Sequence, residues 1–70
     1  MMPVTMAAAG ETVLVKRITG KDETRHHLHD LGLMEGDQVT VVQNNKGNLI
    51  LQVKNGRIAL DEQLAMRIQY

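Results

Sequence analysis

Residues 28–41 read LHDLGLMEGDQVTV, and their glycines and leucines define how a helix ends. If Gly32 takes the first position beyond the helix cap, Leu33 follows it and can fold back onto Leu28, three positions inside the helix. This is the apolar contact of a Schellman ending, in which a left-handed glycine closes the last turn. The spacing therefore predicts that Leu28 and Leu31 face the core and that Leu33 packs onto them.

The second half of this stretch predicts a tight turn followed by a strand. Residues 34–37 form the turn, in which Gly36 supplies a backbone conformation that other residues avoid. Residues 38–43 then alternate, with Val39 and Val41 on one face, as in a half-buried strand.

Towards the N-terminus, the same patterns predict a helical turn, a strand and the body of the helix. Residues 4–10 form a short turn that Thr5 could cap. Residues 11–18 form one strand, and residues 22–31 form the helix, for which Asp22 is the expected N-cap.

Towards the C-terminus, hairpins are expected to dominate. Asn55-Gly56 is a strong signal for a type I′ turn. A hairpin loop is predicted over 44–47, and strands are predicted over 48–54, 57–60 and 67–70. Asp61 is expected to cap a helical turn, and the residues that follow it are expected to pack beneath the sheet: Leu64, Ala65 and Met66. The chain is thus predicted to be mainly β, with about five short strands, a helix after the first and a short C-terminal helical turn. Strands this short protect their edges best by curling into a small barrel.

Composition restricts the functions that such a domain can have. The chain has 70 residues, 43% of them hydrophobic, with Tyr70 as the only aromatic residue and no cysteine. Grooves for proline-rich peptides and platforms for single-stranded nucleic acid both need aromatic rings. No pattern of catalytic residues is present, so we expect a single domain over residues 1–70 that is not an enzyme.

Charge and hydropathy exclude two further partners. Eight basic and eight acidic residues give a formal net charge of zero, and there is no basic run to bind a phosphate backbone. The apolar stretches fall well short of the roughly 20 residues of a membrane-spanning helix. We therefore expect a cytoplasmic protein that neither binds nucleic acid nor inserts into a membrane.

The stretch over residues 28–41 resembles the FeoA family, small SH3-like proteins of bacterial ferrous iron uptake. The shared pattern is a leucine, two variable residues, Leu or Met, Gly, Leu, and a later glycine before alternating valines. The resemblance continues through Gly47, residues 55–60 and residues 62–68. Two positions depart from the family pattern, because Glu35 and Ala9 stand where the family often has proline.

The resemblance implies a small SH3-like barrel, related to the C-terminal domain of DtxR-type repressors. It also implies an accessory or regulatory role through protein–protein contact with FeoB, a membrane transporter with a GTPase domain, and no required cofactor. Two alternatives stay open: a metal-responsive module, and a generic SH3-like adaptor for another partner. Short edge strands could also pair two copies into a weak homodimer.

The metal-responsive alternative depends on the histidines of the predicted helix. His26 and His29 are neighbours on one helix face, with Asp22 and Asp30 nearby. Imidazoles and carboxylates can together hold Fe²⁺ or another divalent metal. The same pattern also fits an exposed polar face that keeps an amphipathic helix soluble.

The protein–protein alternative needs an exposed contact surface. Candidate residues are Leu33 and Met34 in the turn, Asn45 and Lys46 in the hairpin loop, and the outward-facing Ile50. Methionine suits such surfaces because its side chain adapts to varied partners. The Schellman argument competes for Leu33, since it places that side chain in the core.

Overall fold

A computed structural model describes residues 1–70 and shows a mainly β chain, as predicted, but with six strands rather than five. A 3₁₀ turn over Val4–Met6 precedes the strands. The other elements, in chain order, are β1 (Thr12–Leu14), β2 (Arg17–Ile18), α1 (Asp22–Asp30), β3 (Gln38–Asn45), β4 (Asn48–Val53), β5 (Gly56–Leu60), α2 (Glu62–Ala65) and β6 (Ile68–Gln69).

The extra strand arises because the segment predicted as one strand over 11–18 serves two sheets. β1 joins an antiparallel sheet of order β1-β3-β4-β5, whereas β2 pairs only with β6. Between them, Val15 bonds to the turn after α1: its N–H donates to Asp37 O, and its carbonyl accepts from Gly36 N–H. Residues 12–14 and 17–18 therefore pair in different sheets, and the predicted single strand is divided at Val15.

The core consists entirely of aliphatic side chains. Fifteen apolar residues form a single buried cluster, and no residue with a polar or charged side chain belongs to it. The predicted alternation is confirmed in β3, where Val39 and Val41 are buried, and in β4, whose inward residues are Leu49, Leu51 and Val53. Recognition of any partner therefore falls to the outer surface.

Helix α1 ends as the sequence predicts. Gly32 has a φ of 98°, Leu33 N–H donates to Leu28 O at 3.0 Å, and Gly32 N–H donates to His29 O at 2.9 Å. These two bonds are the Schellman pair. The predicted N-cap is wrong, because Lys21 occupies that position and Asp22 is already helical, with its carboxylate bonded to Arg25.

The tight turns are partly displaced from their predicted positions. Val53 pairs with Gly56, so the β4–β5 loop is Lys54-Asn55, and Asn55 has no positive φ. The prediction of a type I′ turn at Asn55-Gly56 is therefore wrong. The two positive φ values that type I′ requires occur instead at Lys46 (55°) and Gly47 (89°), between β3 and β4.

Three further predictions concern the short helical turns near the two chain ends, and two of them are wrong. Thr5 makes no cap, since Pro3 precedes the 3₁₀ turn and no side chain bonds there. Met66 does not pack under the sheet but is half exposed. Asp61 caps α2 as predicted, accepting the N–H of Leu64 at 2.9 Å.

The tip of the β3–β4 hairpin is fastened to the rest of the chain through Asn44. Its amide nitrogen donates to the carbonyls of Thr5 (3.0 Å) and Ala7 (2.7 Å), and its Oδ1 accepts the N–H of Gly47 (3.0 Å). On the other side, Asn48 Oδ1 accepts the first N–H of α2. The hairpin tip is therefore part of the packed structure.

The outer edges and the chain ends complete the fold. β5 pairs only with β4, and none of its residues takes part in the backbone hydrogen bonds outside the helices and strands. Met2 and Tyr70 exchange two backbone hydrogen bonds of 2.8 Å. Neither helix has the length and apolar character that crossing a bilayer requires.

Candidate interaction surfaces

Two half-exposed apolar side chains, one in the turn after α1 and one at the end of β1, lie in neighbouring segments of backbone. Met34 is 49% exposed and Leu14 is 44% exposed. Both are held near one backbone junction, because Val15 bonds to Gly36 and Asp37 and Leu14 pairs with Gln38. We name this surface the turn patch and define it as Leu14, Met34 and the neighbouring pair His29 and Glu35.

The His29–Glu35 pair connects helix α1 to the turn. His29 Nε2 lies 3.4 Å from Glu35 Oε1. Hydrogen bonding from its own backbone N–H holds the pKa of Glu35 below its ordinary value of 4.5, with smaller contributions from His29, while partial desolvation opposes the shift. The carboxylate is thus favoured in its ionised form in the folded state.

A lowered pKa in the folded state predicts a specific dependence of stability on pH. Glu35 contributes stability at pH values above about 4.5, and this contribution is lost as pH falls through the folded-state pKa. We expect Glu35→Gln to be less stable than the wild type at pH 7 and to match it in strong acid. Thermal unfolding followed by circular dichroism between pH 2 and 7 measures the difference.

The His29→Ala variant is the matched control for this pH effect. This variant keeps the backbone N–H that lowers the pKa of Glu35 most. Its free energy of unfolding should therefore still fall in acid by most of the amount seen in the wild type. A His29→Ala profile identical to that of Glu35→Gln would show that the imidazole is the main cause and contradict this assignment.

The same turn is tied to the β4–β5 loop by Asp37. Its Oδ1 lies 3.3 Å from Lys54 Nζ, and the carboxylate side chain is largely buried, whereas that of the lysine is mostly exposed. The other oxygen, Oδ2, is buried and accepts no hydrogen bond from the protein. The turn patch therefore lies at the end of β4 that Lys54 follows.

The predicted partner residues do not form one surface. Leu33 is 0% exposed, so placing it on a partner surface is wrong, because the Schellman ending turns its side chain into the core. Asn45 and Lys46 are exposed at the opposite end of β4 from Met34. At about 3.3 Å per residue, that strand separates the two ends by about 17 Å. Ile50 lies between them and is half-buried.

The predicted metal-binding residues are divided among separate ion pairs. His26 lies 3.6 Å from Asp30, His29 faces Glu35, and Asp22 is bonded to Arg25. No three histidine or acidic side chains converge to hold a metal ion. These side chains lie on the polar surface of α1 as pairs.

A groove between α1, α2 and β6 was missed by the sequence interpretation. It has a volume of about 640 Å³, and its lining is Pro3, Thr19, Thr24, Asp61, Gln63, Leu64, Met66, Arg67 and Gln69. Sequence reasoning placed Met66 inside, so the half-exposed thioether at this groove was not anticipated. The sequence feature that could have indicated an exposed Met66 is the set of polar residues on either side of it, Gln63, Arg67 and Gln69. We name this surface the α1–α2 groove.

Sequence comparison identifies relatives along nearly the whole chain. The family model described as the FeoA domain matches residues 2–69. A Methanocaldococcus jannaschii protein assigned as Fe(2+) transport protein A is 34% identical over 68 residues, covering 97% of this chain and 83% of that protein.

Solved structures show the same fold. A crystal structure of the iron uptake regulatory protein FeoA superimposes with a TM-score of 0.88 at 28% identity, covering 96% of this chain and 91% of that one. The zinc complex of Stenotrophomonas maltophilia FeoA, described as a procaryotic SH3 domain protein, has a TM-score of 0.81 at 24% identity, with 99% and 88% covered. The T. acidophilum repressor IdeR has a TM-score of 0.82 at 24% identity, and the match spans 96% of this chain but 32% of the repressor. The predicted SH3-like fold and its relation to repressor domains are confirmed.

Proposed function

The chain belongs to the FeoA family, and from this premise we propose that it is an accessory protein of ferrous iron transport. We propose further that it acts in the cytoplasm by direct contact with the cytosolic part of an FeoB-like transporter. The observation that carries the proposal is the family match over residues 2–69, which includes every element of the fold.

The distribution of side chains supports action through contact. The core cluster consists only of apolar residues, so the polar groups able to recognise a partner lie outside it. A regulatory contact of this kind requires no catalytic residue and no bound cofactor.

The turn patch is the surface that we assign to this contact. Met34 and Leu14 are two of the few large apolar side chains that the fold leaves half exposed, and bonds through Val15 hold their backbone in place. An adaptable methionine on a preorganised turn is suited to binding with little loss of backbone freedom. Asn45, Lys46 and Ile50 would belong to a separate contact.

Charging the turn patch should weaken binding without unfolding the domain. For Met34→Asp, we expect a loss of about 1–2 kcal/mol of binding free energy, since an apolar contact is replaced by a charge that must be desolvated. The free energy of unfolding should change by less than about 0.5–1 kcal/mol, because Met34 is half exposed. Calorimetric titration against the purified cytosolic domain of FeoB measures the first, and urea unfolding the second.

Met6→Asp is the matched control, since Met6 is 62% exposed on the 3₁₀ turn and outside the turn patch. Equal weakening by both variants, or unfolding by Met34→Asp, would contradict the assignment of this surface.

Binding that requires added Fe²⁺ would favour the metal-responsive alternative, and no binding by the wild type would favour an adaptor for another partner. Concentration-dependent sedimentation of the chain alone would indicate pairing of two copies, for which the free edge of β5 is available.

A further inference from the structure

The α1–α2 groove has a basic end that the turn patch lacks. It continues into a second depression, lined by Gly20, Lys21, Thr24 and Arg67, which contains no carboxylate. Thr24 and Arg67 line both parts, so the two form one continuous surface.

A third cation lies on the same side. Arg17 pairs with Gln69 across β2 and β6, and residues directly opposite in an antiparallel pair project from the same face. Gln69 lines the groove, so the exposed Arg17 is placed beside it on the same face of the β2–β6 pair, although it is not itself part of the lining.

The backbone around Arg67 fixes its position while leaving its side chain free. The Arg67 carbonyl accepts the N–H of Thr19 at 2.8 Å. Gly20 has a φ of 109°, and a Cβ placed there would lie 3.4 Å from Arg67 Cδ, so the arginine passes over this glycine in close contact. The guanidinium itself makes no hydrogen bond or ion pair within the chain.

The neighbouring carboxylates are either occupied or turned to other surfaces. Asp61 lines the groove, and its Oδ1 accepts the N–H of Leu64 as the cap of α2. Asp22 is bonded to Arg25. Glu23 lines a different depression, on the face of α1 that carries His26 and His29.

We propose that the α1–α2 groove binds a short acidic segment of a protein partner. Lys21 and Arg67, with Arg17 beside the groove, bind its carboxylates, and the hydroxyl of Thr24 donates a further hydrogen bond. The half-buried Leu64 and half-exposed Met66 bind an apolar side chain next to the acidic ones. The occupant follows from charge complementarity, because Lys21 and Arg67 line one depression that contains no carboxylate, and neither forms an ion pair within the chain.

This inference concerns a different surface from the turn patch and holds whether or not the partner is a transporter. It is tested with a fluorescein-labelled peptide that alternates glutamate and leucine over ten residues, and fluorescence anisotropy reports binding. We expect the affinity to fall about tenfold in Arg67→Glu and in Lys21→Glu, and to fall with added salt, as for a contact between opposite charges. Arg67→Gln, which removes the charge without reversing it, should weaken binding less.

Arg57→Glu is the matched control for charge. It makes the same change in net charge on β5, at a residue outside the groove whose side chain bonds only to Gln52. Equal weakening in Arg57→Glu and Arg67→Glu would mean that net charge alone governs binding and would overturn the proposal. If Arg67→Glu does not fold, Arg67→Gln and Lys21→Glu decide the result in its place.

Backbone amide shifts of the ¹⁵N-labelled protein locate the peptide. The amides of Gly20, Lys21, Thr24 and Arg67 should shift on peptide addition, while that of Met34 should not. Shifts confined to the turn patch would overturn the proposal. A second outcome would also overturn it: 10 mM inorganic phosphate causes the same amide shifts and displaces the peptide. The groove would then be a site for small anions.

Discussion

Replacing Leu33 by alanine should lower the free energy of unfolding by about 2–5 kcal/mol, the usual range for a buried leucine cut back to its Cβ. Leu33 is fully buried, and it belongs to the Schellman ending that joins α1 to the turn patch. At about 0.05–0.15 kcal/mol per residue, a chain of this length has only about 4–10 kcal/mol in total. We therefore expect Leu33→Ala to be partly or wholly unfolded at 37 °C, as measured by urea denaturation and thermal melting.

Met34→Ala is the control for Leu33→Ala, because it removes a large side chain from the next position in the same turn. Met34 is half exposed, and its truncation should cost less than about 1 kcal/mol. Similar losses in the two variants would show that the turn as a whole, rather than core packing by Leu33, determines stability here.

Replacing Asn44 by alanine should have the second largest effect, a loss of about 2–4 kcal/mol. The side chain bonds to the carbonyls of Thr5 and Ala7 and to the N–H of Gly47. Its removal leaves three backbone groups without that partner, and each unsatisfied buried group costs about 1–3 kcal/mol, reduced where water can replace the bond. Chemical denaturation measures the loss.

Two variants separate this role of Asn44 from a general effect of the hairpin. Asn45→Ala changes the exposed neighbour, whose side chain makes no hydrogen bond, and should cost less than about 0.5 kcal/mol. Asn44→Asp keeps the acceptor for Gly47 but turns a carboxylate oxygen towards two carbonyls, so it should be at least as destabilising as alanine at pH 7. A stable Asn44→Asp would contradict the importance of the two amide donations.

Features that depend on local sequence were predicted from the sequence. The Schellman ending at Gly32 and the cap at Asp61 are set by residues within one or two turns of each other, so spacing alone identifies them. The alternation in β3 and β4 was predictable for the same reason, since a strand with one buried face repeats every two residues.

Features that depend on distant partners were not predictable in this way. The division of residues 11–18 is decided by pairing with β3 and β6, which lie more than 20 and at least 50 residues further along the chain. The position of the β4–β5 turn is decided by register, and the pairing of Leu49 with Leu60 moves the loop one residue before Asn55-Gly56.

The candidate sites likewise include features that local sequence predicts and features that depend on distant residues. Met34 was predicted as an exposed turn residue, and the structure leaves it half exposed. The α1–α2 groove combines residues from 3 to 69, and no single motif in the sequence could reveal it. The sequence left His26 and His29 open as metal ligands or as part of a polar face, and it gave no indication that the turn brings Glu35 to His29 from outside the helix.

The paired bonds between Met2 and Tyr70 have a consequence for how this fold can be used in larger proteins. Because the two ends meet at one point, a linker at either end departs from the same small area. A unit built in this way can be appended to an unrelated domain without rearrangement. In the T. acidophilum IdeR structure, a unit of this fold makes up about a third of the chain.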